Sequence, residues 1–161
     1  MQSVLIVAML WISALCCALM AGLYFAFSTF IMRALGRIDR SAAIAAMNAI
    51  NVDIQRSLFM PIFLGSTLIA AVLVVVTLLD LAAPYAAPAL MGSAIYVAGM
   101  FVVTMARNVP LNNALAAIEP RDGATNPLWP RYLTEWTRWN HVRTLASLTG
   151  CALDIRAISL L

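Results

Sequence analysis

The chain has 161 residues, is 63% hydrophobic and only 11% charged, and carries a formal net charge of +3, with a mean hydropathy of +0.92. Soluble domains carry about 25% charged residues, so this composition excludes water as the main solvent and points to a membrane. All ten basic residues are arginines, gathered around connections between apolar runs, which excludes the basic face of a nucleic-acid binder.

Val4 to Met32 is the first apolar run, long enough at ~1.5 Å per helical residue to cross a ~30 Å hydrocarbon layer. Its apolar stretch exceeds that of a signal peptide, no basic residue precedes it, and Arg33, Arg37 and Arg40 follow it. A retained transmembrane helix is therefore expected. Gly22 is expected to let a neighbouring helix approach. Tyr24 and Ser28, four residues apart, share a face, and Tyr24, Phe25, Phe27 and Phe30 fit an interfacial aromatic belt.

Asp39 or Ser41 is a competent N-cap for a second, interfacial helix reaching Arg56. Its apolar stripe is Ile44, Met47, Ile50 and Ile54, and its carboxamide stripe is Asn48, Asn51 and Gln55. Aligned amides of this kind either bond a neighbouring helix or line a polar pocket. The second span runs from Leu58 to Leu79, with Pro61 in its first turn or at a kink. After a turn at Asp80 to Pro88, the third span runs from Ala89 to Ala106. Pro110 predicts a broken helix end just beyond it, with Asn108 capping a short helix that carries Asn112 and Asn113. Glu119 to Pro130 reads as a loop, from Pro120, Asp122-Gly123 and Asn126-Pro127.

The last helix is expected to start near Pro127 to Pro130 and end about Ile158, its spanning part covering 134–158. Trp129, Leu133, Trp136, Asn140 and Arg143 form one stripe; Thr134, Thr137, His141 and Leu145 form another about 100° away. Asp154 and Arg156 are expensive at mid-bilayer and are expected at the far interface. His141, the chain's one histidine, then lies one to two turns inside the arginine-rich surface. Nine arginines flank the first-to-second and third-to-fourth connections and none lies in the turn around Pro84. The positive-inside rule therefore places both connections in the cytoplasm and both termini outside. The expected architecture is all-α: a single domain, a four-transmembrane-helix bundle. Small residues (Gly22, Gly65, Gly92 and Gly99) permit close packing between helices or between subunits of a homo-oligomer.

Polar groups gather at the arginine-rich end: Tyr24, Ser28, Asn48, Asn51, Gln55, Asn108, Asn112, Asn113, Trp136, Asn140, His141 and Arg143. Ionisable residues within spans are functional candidates because their burial is costly. A partly desolvated histidine suits a general base, or it simply bonds a backbone carbonyl or a headgroup at the interface. One histidine without a carboxylate pair cannot supply the usual metal ligands, so no metal is expected. Haem on His141 alone stays open. Cys16, Cys17 and Cys151 lie in apolar runs without C-x-x-C spacing, which argues against disulfides and zinc.

G-L-Y-F-A-F-S at Gly22–Ser28, M-N-A-I-N at Met47–Asn51, N-V-P-L-N at Asn108–Asn112 and W-T-R-W-N-H-V-R-T at Trp136–Thr144 together resemble the anthrone-oxygenase-like family of small membrane proteins. The last two motifs are the specific ones. The resemblance implies four helices and oxidation of anthrones to anthraquinones by O₂ without an evident metal or flavin, hence no cofactor. It also implies a bacterial inner membrane, and this chain departs from the family pattern in carrying Asp154 and Arg156 near its C-terminus.

On that footing His141 is expected to remove a proton from a lipophilic anthrone-like or phenolic substrate. Asn140, Asn108 and Asn112 would bond the resulting oxyanion, with Arg143 holding negative charge nearby. Trp136 and Tyr24 would wall the pocket, with Ser28, Asn48 and Asn51 as further substrate contacts. The rival expectation is a non-catalytic bundle that binds lipid, quinone or a partner subunit, with a haem or quinone redox subunit as a third.

Overall fold

The computed structural model describes residues 2–118 and 125–161. Pro120, Arg121, Asp122 and Gly123, used above for the loop and the topology, lie outside the described residues. Among those described, the secondary structure is entirely helical. The first long helix comprises α1 (Gln2–Ala26), a π-helical turn at Phe27–Ile31 and α2 (Met32–Leu35). It therefore runs one turn past the expected end at Met32.

Asp39 caps α3 (Arg40–Arg56), accepting from the Ala42 amide at 2.9 Å. That side chain satisfies one of the free N–H groups at the helix start. Ile44 and Met47 of its apolar stripe are buried with Phe27, Met32, Trp129, Tyr132 and Trp136. α4 (Phe59–Leu79) follows, with Pro61 in its first turn, where a missing N–H costs nothing.

The third long helix comprises α5 (Ala86–Tyr96), π-helical turns at Val97–Val102 and Thr104–Asn108, and α6 (Val109–Ala116). The break expected at Pro110 does not occur. The wide turns just ahead of the proline carry the chain past it in helical geometry, with φ/ψ of −77°/−42° at Asn108 and −61°/−46° at Val109. Asn108 is accordingly not a cap; its side chain is buried and donates to the Trp136 carbonyl at 3.2 Å. α7 (Leu128–Ile158) completes the fold. Its first amide is held by Asn126 Oδ1 at 2.9 Å.

Three helices, Val4–Leu35, Phe59–Leu79 and Ala86–Ala116, are long and apolar enough to cross a membrane, consistent with an integral membrane protein. Sequence-adjacent long helices run antiparallel. Ser66 bonds Tyr96, and Leu73 shares a core cluster with Ala89 and Tyr85. α7 runs antiparallel to α1: Asn140 meets Tyr24 and Ser28, while Ala157 packs with Leu10.

The glycines sort by helix pair. A Cβ on Gly99 would collide with Ala146 Cβ, and one on Gly92 would stand 2.9 Å from Leu153 Cβ, so these two set the approach of the third helix to α7. Gly22 and Gly65 meet nothing within 4 Å, so the close approach expected at Gly22 is absent.

Candidate functional site

A cavity of about 330 Å³ opens at the end of the fold where α3 crosses the long helices. That volume is at the small end of the ~300–1,000 Å³ typical of small-molecule sites. The first helix contributes Tyr24 and Phe27, α3 contributes Asn51 and Gln55, and α4 contributes Phe59 and Phe63. The third helix supplies Thr104, Met105, Asn112 and Asn113, and α7 supplies Trp136 and Arg143. Gln55, Met105 and Asn113 are exposed, so the rim lies on that side. The three π-helical turns among the described residues occur in the two helices that carry Tyr24, Phe27 and Thr104. Such wide turns commonly accompany functional sites, because they re-aim side chains out of the α register.

Arg143 dominates the electrostatics. It is 4% exposed, and its guanidinium lies 4.3 Å from the Tyr24 ring centroid and 5.0 Å from that of Trp136. Nη2 donates to Asn140 Oδ1 and Nη1 to Thr104 Oγ1, while Nε has no hydrogen-bond partner. Among the described residues no carboxylate pairs with it, and the one ion pair is Arg131–Glu135, on the outside of α7. Aromatic faces and neutral oxygens thus hold a buried cation that has no countercharge among the described residues. Such a charge is costly to bury, and the cavity beside it is where an anion would compensate it.

Asn112 is oriented by chemistry that fixes its direction. Its Oδ1 accepts from Tyr132 Oη at 2.7 Å and from Trp136 Nε1 at 2.9 Å. An indole N–H only donates, so the accepting atom must be the amide oxygen, leaving the amide NH₂ as the end free to donate. Stacked rings fix the two donors: Trp129, Tyr132 and Trp136 follow one another at 5.7 and 6.0 Å. Tyr24 Oη and Asn51 Nδ2, on two further cavity-lining side chains, have no partner.

The expected site residues therefore divide. Tyr24, Asn51, Asn112, Trp136 and Arg143 line one cavity. Asn140 is fully buried behind it; its Nδ2 donates to Tyr24 O at 2.6 Å and to Ser28 Oγ at 2.7 Å, and its Oδ1 holds Arg143. Ser28 bonds Thr144 in the same cluster and Asn108 bonds the α7 backbone, so both act between helices. Asn48 does not line the cavity either.

His141 is exposed and also lies off the cavity, which corrects the expectation that it shares a hollow with Asn108 and Asn112. The reason is helical periodicity. Trp136, Asn140, Arg143 and Ser147 point inward at spacings of three and four, and position 141 falls about 100° from Asn140. Thr104 was missed by the sequence reading; its signal was its place one turn before Asn108 on the same helix.

The family model described as Anthrone oxygenase matches residues 55–153. The chain belongs to the anthrone oxygenase family. The matched stretch holds the Asn108–Asn112 and Trp136–Thr144 motifs, and with them most of the cavity wall, including Thr104, Asn112, Trp136 and Arg143. Tyr24, Asn51 and the two N-terminal motifs lie outside it. No curated protein and no solved structure matches this anthrone oxygenase family member significantly.

Proposed function

We propose that the protein is a membrane-embedded oxygenase that takes an anthrone-like or phenolic substrate from the bilayer and oxidises it with O₂, without a resident cofactor. The observation that carries this reading is Arg143: a buried cation on the wall of a largely apolar cavity, with no carboxylate partner among the described residues. An anthrone that loses a proton from its methylene carbon becomes an extended enolate with its charge on oxygen. Arg143 and the Asn112 amide would hold that oxygen, and they are already in place before charge develops. Phe27, Phe59, Phe63 and Trp136 supply flat apolar walls for fused rings.

The overall change balances as anthrone plus O₂ giving anthraquinone plus water. Carbon is oxidised, the O–O bond is cleaved, and one oxygen becomes the new carbonyl while the other leaves as water. His141 has no part in this scheme, because its ring lies off the cavity; water at the rim takes the proton once Arg143 has lowered the energy of the anion.

The same reading includes a fourth crossing by α7. Its inward residues are Asn140, Arg143, Thr144, Ser147 and Asp154, while Val142, Leu145, Leu148 and Ile155 are exposed. A helix that is polar within and apolar outside is arranged for lipid, and its low mean hydropathy follows from the inner face. Four antiparallel crossings put both termini on one side, with the arginine-rich connections cytoplasmic.

The test is to supply the purified protein with an anthrone and O₂ and follow quinone formation. Wild type should turn over and Arg143→Met should lose about 10²–10³-fold in rate, the usual loss on removing an oxyanion donor. Equal rates in two folded proteins would remove Arg143 from the reaction.

A further inference from the structure

On the other side of Asn140 from the cavity, a groove of about 470 Å³ runs between the end of the first long helix and α7. Arg33, in the last turn of that helix, and Arg37, in the turn that follows it, both line the groove with Ser28, Thr29 and Gly36, and Thr137 lines it from α7. Both arginines are exposed, and neither has a carboxylate partner among the described residues. Asp39, the nearest acid in sequence, is occupied in capping α3. Thr137 Oγ1 is buried without a partner. Gly36 keeps the floor low: a Cβ there would stand 3.3 Å from Leu133 Cδ1.

The position of the groove says what would fill it. The arginines follow directly on the apolar stretch of the first helix, where Phe25 and Phe30 are 55% and 59% exposed. They therefore sit where lipid phosphates sit. Two guanidinium groups, each a planar fork of donors, match the oxygens of a phosphate. His141 lies one turn beyond Thr137 on the same stripe of α7, and Leu145 lies one turn beyond that, exposed. The stripe thus passes from hydroxyl through imidazole to apolar surface, the order in which a phospholipid passes from headgroup to acyl chain.

We infer that this groove is a binding site for a phosphate-bearing anionic lipid, its headgroup between Arg33, Arg37 and Thr137 and its acyl chains down the outer seam of α1 and α7. Basic pockets between membrane helices recognise anionic headgroups in this way. A second surface groove of about 250 Å³ holds Arg107 and Arg131, but Arg107 is stacked on Trp139 and Arg131 is paired with Glu135. Its charges are engaged, and it serves as the control.

The full chain in an uncharged detergent is titrated with dioleoyl phosphatidylglycerol, with dioleoyl phosphatidylcholine and with inorganic phosphate. Bound lipid is read by native mass spectrometry and by the shift in unfolding temperature. Phosphatidylglycerol should bind at one tight site and raise the unfolding temperature, and the other two should not. The double variant Arg33→Gln/Arg37→Gln should bind phosphatidylglycerol roughly thirty-fold more weakly, since each juxtamembrane arginine contributes about a factor of five. Arg107→Gln should bind like wild type. Equal weakening by Arg107→Gln, an unchanged double variant, or equal stabilisation by inorganic phosphate would each overturn the lipid site. None of these outcomes touches the oxygenase reading, because the groove and the cavity share no lining residue.

Discussion

Arg143 Nη2 lies 2.5 Å from Asn140 Oδ1, one turn back along α7, and Asn140 Nδ2 reaches the Tyr24 carbonyl of the first helix at 2.6 Å. One buried carboxamide therefore does two things: it aims the guanidinium and ties α7 to α1. The carbonyl it binds stands just ahead of the π-helical turn at Phe27–Ile31. The wide turn and the amide belong to one arrangement, in which a side chain enters an irregular stretch of the helix ladder.

Asn140 is thus a positioning residue. Asn140→Ala leaves the Arg143 guanidinium without its strongest neutral acceptor and the Tyr24 carbonyl without its donor. The expected result is a loss of about 1–3 kcal/mol of stability, the cost of leaving a buried polar group unsatisfied, together with slower quinone formation. Asn140→Asp should keep the guanidinium in place but neutralise it, leaving little turnover, and it also sets a carboxylate oxygen against the Tyr24 carbonyl, so it should lose stability as well. Thermal unfolding and the quinone assay on both variants separate the two roles. An active Asn140→Asp would mean that the free charge on Arg143 is not used.

His141→Ala should leave anthrone turnover unchanged, because the ring is exposed and outside the cavity wall. The same substitution should weaken phosphatidylglycerol binding if the acyl seam runs past it. A large fall in turnover, with lipid binding intact, would restore the histidine as a base and sink the assignment of the proton to water at the rim.

Gly99→Leu places a branched side chain where even a Cβ collides with Ala146. Overpacking of this kind costs about 1–3 kcal/mol, and here it forces the third helix away from α7 at the level just below Thr104 and Arg143. Lower unfolding temperature and slower turnover should appear together. Gly22→Ala is the matched control: nothing stands within 4 Å of the new methyl, and alanine is the better helix former by about 1 kcal/mol. It should be neutral or stabilising.

Where each side chain points was legible in the sequence only where helical period alone decides it. The inward stripe of Trp136, Asn140 and Arg143 follows from spacing, and the structure has it; between alternatives that spacing left open, the structure has Asp39 rather than Ser41 as the cap and Pro61 in a first turn. Pro110 misled, because an α-helical ladder was assumed where the chain is π-helical, and no residue type marks a π turn. His141 misled for another reason. Being the one histidine made it conspicuous, although its own stripe, with Thr137 and Leu145, was already separate from that of Arg143. That Arg143 has no carboxylate partner among the described residues was not legible at all, since pairing depends on which helices become neighbours.

Asp154 poses the opposite problem to Arg143 at the other end of the fold. It lies close to the end of α7, as expected, but faces inward rather than toward an interface: it is 1% exposed, and both carboxylate oxygens lack a hydrogen-bond partner. Arg156, two residues on, is exposed and bonds Ser159 Oγ at 3.1 Å, so it offers no compensation. A buried charge without a partner costs several kcal/mol, and the third helix comes close enough that a Cβ on Gly92 would stand 3.4 Å from Asp154 Oδ1. Asp154→Asn keeps the shape and removes the ionisable group. It should raise the unfolding temperature measured at alkaline pH while leaving quinone formation unchanged, since the site is at the far end of the helices. Asp154→Leu, which must force a branched side chain against the third helix, should not share the gain. A destabilised Asp154→Asn would show instead that the carboxylate has a partner, and that the C-terminal end of α7 is held by charge rather than by packing alone.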